Sequence, residues 1–123
     1  MKHVNDKMLN IKTIVVDDWQ YMSSFEYFDR ANEKGYDKFT QIAANLAMVA
    51  KLPKDLRDDL TVIFLTHSED STDINGNRRI KAKTIGKMID NTLTLEGLFS
   101  IVLFGKVNKN DDGELEYGFE TQN

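Results

Sequence analysis

Ile11-Lys-Thr-Ile-Val-Val16, closed by Asp17-Asp18, is the stretch that decides the fold. Nearly every side chain in it is apolar or β-branched, rather than every second one. That pattern predicts a strand buried on both faces, as in a parallel sheet. Thr61-Val-Ile-Phe-Leu-Thr66 has the same character. Between the two, Phe39, Ile42, Ala43, Leu46, Val49 and Ala50 recur at three- and four-residue spacing. They form the apolar stripe of one helix, ended before Pro53. Strand, helix and strand with this much chain between them predict a parallel crossover. Trp19 to Phe28 reads as a loop leading into a short helix, and Lys54 to Asp59 as a solvated connection.

Outward from this unit the pattern changes. Asn75-Gly76 between polar arms predicts a type I′ hairpin. Gly86 to Leu93 predicts a short helix or irregular turn. Ser100 to Val107 reads as a third strand, Asn110-Asp-Asp-Gly113 as a turn, and Leu115 to Phe119 as the return strand of a terminal hairpin. The fold class is α/β, with parallel strands, a crossover helix and a C-terminal antiparallel hairpin.

The 123 residues include no cysteine and two histidines, and the formal net charge is −4. That length fits a single domain over residues 1–123. With 41% hydrophobic and 29% charged residues, the chain has material for a packed core. The lack of cysteine excludes a disulfide scaffold, a thiol nucleophile and a thiolate zinc site. His3 and His67 are too far apart in sequence for a local metal motif. A negative chain is not a globally basic nucleic-acid glove, although a local patch stays open. The start, MKHVNDKMLN, has no apolar signal region. Ser100-Ile-Val-Leu-Phe104, the most apolar short run, is far below the roughly 20 residues of a membrane helix. The expectation is a soluble, cytoplasmic protein without a membrane partner.

The carboxylates that close the first strand are the first candidates for chemistry. The C-terminal end of a parallel strand is where open α/β sheets bind ligands. Mg²⁺ often takes one protein carboxylate, with phosphates and water completing its shell. Asp17 suits that role, and Asp18 beside it suits orienting a water. The same pair also makes an ordinary turn. His67 follows the second strand in Phe64-Leu-Thr-His-Ser68. If the strands are neighbours, it shares a rim with Asp17 and can sense a bound phosphate; a solvent-facing loop histidine has the same signature. Arg78, Arg79, Lys81, Lys83 and Lys87 form a cationic stretch able to contact DNA phosphates or a neighbouring subunit's nucleotide. Charges on a hairpin arm also simply protect an edge. Trp19, Tyr21, Phe25, Tyr27 and Phe28 can stack on bases, but packing is the commoner use of clustered aromatics.

Taken together, the strings KTIVVDDWQYM, RANEKGYDKFTQIA, LRDDLTVIFLTHSED, IKAKTIGKMIDNTLTLEGLFSIVLF and the closing TQN resemble the C-terminal part of a family. It is the family of phage-encoded RecA-like ATPases that support single-strand annealing, known as phage nucleotide-binding proteins. The resemblance runs from about Asn10 to Asn123. It implies a Walker B strand ending at Asp17, with Asp17 placed for Mg²⁺ and Asp18 near the hydrolytic water. It implies His67 in the sensor position. Lys83 and Lys87 would lie in the segment that approaches a neighbour's nucleotide. The family's cofactors are ATP and Mg²⁺.

The chain also departs from the family. A P-loop needs G-x-x-x-x-G-K-[ST], whose backbone N–H groups and Lys hold the phosphates. Gly86-Lys87 is followed by Met88, with Lys81 five positions before Gly86. Gly105-Lys106 is followed by Val107, with Ser100 five positions before Gly105. The family's first strand, P-loop and first helix would lie before Met1. Catalysis of phosphoryl transfer rests on positioning and charge stabilisation, so hydrolysis by this chain alone is not expected, nor is tight binding of ATP–Mg²⁺. Three functions follow as expectations. One is a binding and assembly module in DNA recombination or annealing, with itself, a full-length RecA-like ATPase or single-stranded DNA as partner. Another is half of a split ATPase, active with a P-loop-bearing partner. The third is a phage protein that uses the scaffold to bind and inhibit a host protein. The missing first strand normally separates the Thr61–Thr66 and Ser100–Val107 strands. These two are therefore expected to pair directly, unless a second copy covers the edge.

Overall fold

The computed structural model describes residues 1–72, 74–83, 94 and 96–120. The expected parallel unit is present. Strand β1 (Thr13–Val16) pairs in parallel with β2 (Thr61–Phe64), Thr13 opposite Thr61 and Val16 opposite Phe64. Backbone bonds carry the ladder past both strand ends: Thr61 N–H donates to Lys12 O (2.9 Å), Leu65 N–H to Val16 O (2.9 Å) and Trp19 N–H to Leu65 O (3.2 Å). Helices α2 (Tyr21–Asp29) and α3 (Asp37–Lys51) fill the crossover between them. A 3₁₀ turn over Leu52–Asp55, with Pro53 in its first turn, then leads back toward β2. Proline there lacks only an N–H that a helix start leaves unbonded anyway.

The core follows the α3 stripe. Leu46 and Ala50 are buried with Trp19, and Val16, Phe64, Ala82, Leu98 and Phe99 pack around them. Ile42 and Ala43, one turn earlier, form a second cluster with Tyr27 of α2. The indole of Trp19, 1% exposed, meets Phe64 and Phe99 edge-on at 5.2 and 5.7 Å between ring centres. Edge-to-face packing of this kind adds to the burial of the rings themselves.

Only one face of the parallel pair is covered, which corrects the expectation of burial on both. Ile14, Val16, Val62 and Phe64 are half-buried, whereas Val15 is 55% and Ile63 42% exposed on the opposite face. Hydrophobicity on both faces fits two-sided burial, but among the described residues the packing partners lie on one side.

The remaining strands form two antiparallel hairpins. Strands β3 (Ser68–Thr72) and β4 (Arg78–Ala82) pair from Ser68–Ala82 to Thr72–Arg78. Their connection is longer than the two-residue turn expected at Asn75-Gly76. Gly76 has φ +82°, but Asn75 is not among the residues with positive φ. A type I′ turn needs positive φ at both central positions, so the turn is of another kind. Strands β5 (Phe104–Lys109) and β6 (Leu115–Glu120) form the expected terminal hairpin around Asn110–Gly113. In that turn Gly113 has φ +87°, and Asn110 Oδ1 accepts from Glu114 N–H at 2.8 Å.

The expected strand Ser100–Val107 starts four residues late, at Phe104, and pairs with its hairpin partner β6 but not with β2. Its residues from Phe104 on pair with β6, and β1 and β2 form a separate two-stranded sheet. The turn fixes the hairpin register, and Glu120, the last residue of β6, faces Phe104. Among the described residues, Ser100–Leu103 then has no strand opposite it. Direct pairing of Thr61–Thr66 with Ser100–Val107 is therefore not found.

No apolar periodicity marks the N-terminus, yet α1 spans Lys2–Lys7. Arg57 holds it. The guanidinium Nη1 donates to Val4 O (3.0 Å) and Asn5 O (2.9 Å), and Nη2 donates to Ile11 O. The Arg57 N–H donates to Asn5 Oδ1 at 2.7 Å. One cation thus bonds two carbonyls in the last turn of α1, of which Val4 O also accepts from Met8 N–H at 3.1 Å, and a third in the chain beyond it. Asp59 Oδ1 lies 2.8 Å from Arg57 Nε, but Nε makes no hydrogen bond, so that contact is ionic. No helix among the described residues is long and apolar enough to cross a membrane.

Candidate functional site

The parallel pair delivers Asp17 and Asp18 to one rim of the sheet and His67 to the same rim. Asp18 turns the chain with φ +47°, a left-handed conformation that Asp tolerates better than most residues. The turn sends Trp19 into the core and leaves the Asp18 carboxylate exposed. Asp18 Oδ1 lies 3.2 Å from His67 Nε2. Gln20, 6% exposed, backs this contact. Its Nε2 donates to Asp18 Oδ1 at 3.4 Å, and its Oε1 accepts from Thr66 Oγ1 at 2.9 Å. Ser23 Oγ donates to Gln20 O at 2.7 Å, fixing the start of α2. The result is a polar chain from Thr66 through Gln20 and Asp18 to His67.

His67 O accepts from Lys83 N–H at 2.8 Å, one step beyond the Ser68–Ala82 pair. Two sequence candidates, His67 and Lys83, are thereby neighbours. Both line a cavity of about 390 Å³ with Gln20, Tyr21, Ser24, Tyr27 and Phe28. The His67 ring stands edge-on to Tyr21 at 6.3 Å.

The other candidates sit elsewhere. Asp17 is exposed beside Asp18. Arg78 pairs with Asp70 through two bonds of 3.0 Å, and Lys81 pairs with Glu69 at 3.0 Å. Arg79 is also engaged. Strand alternation puts Arg79 and Lys81 on one face of β4, with Lys83 next in that row, and Arg78 on the other, so Arg78 lies apart from the other three. Lys87 and the segment Gly86–Leu93 lie outside the described residues.

The aromatic group divides. Trp19 is core and Tyr27 half-buried, whereas Tyr21, Phe25 and Phe28 are exposed. Gln20, Ser24 and Thr66 were not foreseen as site residues. Their one signal is closeness in sequence to Asp18 and His67.

The site offers limited support for a cation. No group of three or more His, Asp or Glu is placed to hold a metal among the described residues. Asp17 alone suits Mg²⁺ only where phosphates and water fill the other positions. Asp18 Oδ1 already receives Gln20 and faces His67. For ATP, the rim supplies carboxylates and an imidazole, with Lys83 nearby, and among the described residues no glycine-rich cradle. The residues therefore do not fit ATP–Mg²⁺ as a tightly held group. No protein-family model matches this chain, and neither a curated protein nor a solved structure matches it.

Proposed function

We propose that the chain is a binding and assembly module of RecA-like ancestry, acting in DNA recombination or annealing without hydrolysing ATP on its own. The observation that carries this reading is the parallel β1–β2 pair with Asp17 and Asp18 closing one strand and His67 following the other, 3.2 Å from Asp18. The resemblance implies a Walker B pair and a sensor residue at these positions, and their shared rim supports that reading. The absence of a P-loop string from the sequence supports the loss of independent hydrolysis. Single-stranded DNA is the proposed ligand of the row of Arg79, Lys81 and Lys83 along one face of β4, and another RecA-like chain the proposed protein partner.

A second reading, half of a split ATPase, is favoured by one observation. Val15 and Ile63 expose the outer face of the parallel pair, where a partner bearing the P-loop would bring apolar cover. Calorimetry with ATP and Mg²⁺ tests the first reading. Binding at millimolar level or weaker, about −4 kcal/mol or less favourable, is expected for the chain alone. Micromolar, Mg²⁺-dependent binding overturns it.

A further inference from the structure

The cavity beside His67 has two features that the proposed function does not use. One is aromatic surface. Tyr21, Tyr27 and Phe28 border it, and Phe28 remains 70% and Tyr21 46% exposed. The wall is braced: Tyr27 packs on Phe39 at 5.8 Å, and Phe28 stands edge-on to Tyr27 at 5.5 Å. Aromatic faces turned to solvent in a concave site are stacking surfaces without a cover. The other feature is charge. Arg78 and Lys81 are ion-paired with Asp70 and Glu69, whereas Lys83 has no ion-pair partner among the described residues. Its backbone is pinned to His67 O, which holds the ammonium's root at the cavity edge.

A volume of about 390 Å³ falls within the range of small-molecule sites. Rings on one wall and a free cation on the other select for a ligand with the complementary halves. We infer that this cavity binds a small aromatic anion. Its one or two fused rings stack on Phe28 and Tyr21, and its phosphate or carboxylate meets the Lys83 ammonium, with the Ser24 hydroxyl as a further donor. This binding needs neither Mg²⁺ nor the proposed role in recombination, so its failure leaves that role untouched.

The test is an amide chemical-shift titration of the full chain with four probes: phenyl phosphate, indole-3-acetate, benzyl alcohol and inorganic phosphate. The two aromatic anions should give saturable shifts centred on Tyr21, Ser24, Phe28, His67 and Lys83. Benzyl alcohol and inorganic phosphate, each carrying half of the recognition, should bind more weakly. Lys83→Met should weaken both aromatic anions about fivefold, the upper end for a solvent-exposed ion pair, and leave benzyl alcohol unchanged. Phe28→Ala, at an exposed ring, should weaken every ring-bearing probe. Whichever anion binds more tightly identifies the headgroup, and either result upholds the inference. Inorganic phosphate binding as well as phenyl phosphate, Lys83→Met without effect on the anions, or shifts centred elsewhere overturn it.

Discussion

The Asp18 carboxylate meets the His67 imidazole, Oδ1 to Nε2 at 3.2 Å, and ties the end of β1 to the end of β2. Asp18 does so from a left-handed backbone conformation, φ +47°. A non-glycine residue in that region costs roughly 1–2 kcal/mol, while an exposed side-chain contact of this kind returns at most about 1 kcal/mol. Asp18→Ala loses the pair and keeps the strain, so it should lower stability by about 1 kcal/mol. Asp18→Gly loses the pair and the strain together, and should stay within about 0.5 kcal/mol of the wild type. Urea unfolding checks both; a glycine variant less stable than the alanine variant contradicts the account of this turn.

Arg57 joins α1 to the connection ahead of β2 through the carbonyls of Val4, Asn5 and Ile11. Arg57→Ala should cost about 1–3 kcal/mol, because several bonds to one charged donor are lost together. Arg57→Lys should recover only part, since an ammonium cannot match the planar fork. Amide hydrogen exchange localises the effect: protection should fall first in Lys2–Lys7. Unchanged protection there removes Arg57 as the anchor of α1.

Trp19 is the largest fully buried side chain beside Ile42, and its Nε1 has no hydrogen-bond partner. Trp19→Ala should cost about 3–5 kcal/mol through the cavity it leaves. Trp19→Phe should cost much less, because the lost N–H had no acceptor in the core. Thermal unfolding of the two variants separates ring packing from hydrogen bonding. Equal losses in both would contradict the view that packing of an aromatic ring, rather than the N–H, carries the contribution of Trp19.

Two ion pairs give the chain an acid sensitivity of known sign. The Glu33 carboxyl is held below its usual value first by the hydrogen bond from Arg30, and Asp59 first by the bond from Lys12. A carboxylate depressed in the folded state stabilises above its unfolded pKa, here near about 4. That contribution fades as pH falls through the depressed values. The unfolding midpoint should therefore decline below about pH 4, and Glu33→Gln should flatten that decline. Both pairs are solvent-exposed, so added salt should weaken the effect. A Glu33→Gln variant with the wild-type acid slope contradicts the assignment.

The parallel unit was legible in the sequence because β-branched runs and the Phe39–Ala50 stripe are local, strongly periodic signals. The pairing of Val16 with Phe64 follows from them. Burial was less legible. Val15 and Ile63 are as hydrophobic as core residues, and only the absence of packing on their side distinguishes them. Ser100–Leu103 misled for a related reason: apolar character predicts a strand, but the ladder set at Asn110–Gly113 pairs only Phe104 onward among the described residues. That His67 shares a rim with Asp17 and Asp18 follows from the parallel pairing of the strands they come after. The bracing role of Gln20 does not, since it arises only once Thr66 comes within 2.9 Å. Helix α1 carries no apolar periodicity and is held by a distant arginine, which sequence pattern does not reveal.

The most direct test of the proposed role is fluorescence anisotropy of the chain with a labelled single-stranded DNA at rising salt. The account predicts binding at low salt that falls steeply as salt rises, by counterion release from the phosphates. It also predicts loss of that binding when Arg78, Arg79, Lys81, Lys83 and Lys87 are all replaced by Ala. No binding at low salt, or binding unchanged in the fivefold variant, contradicts it.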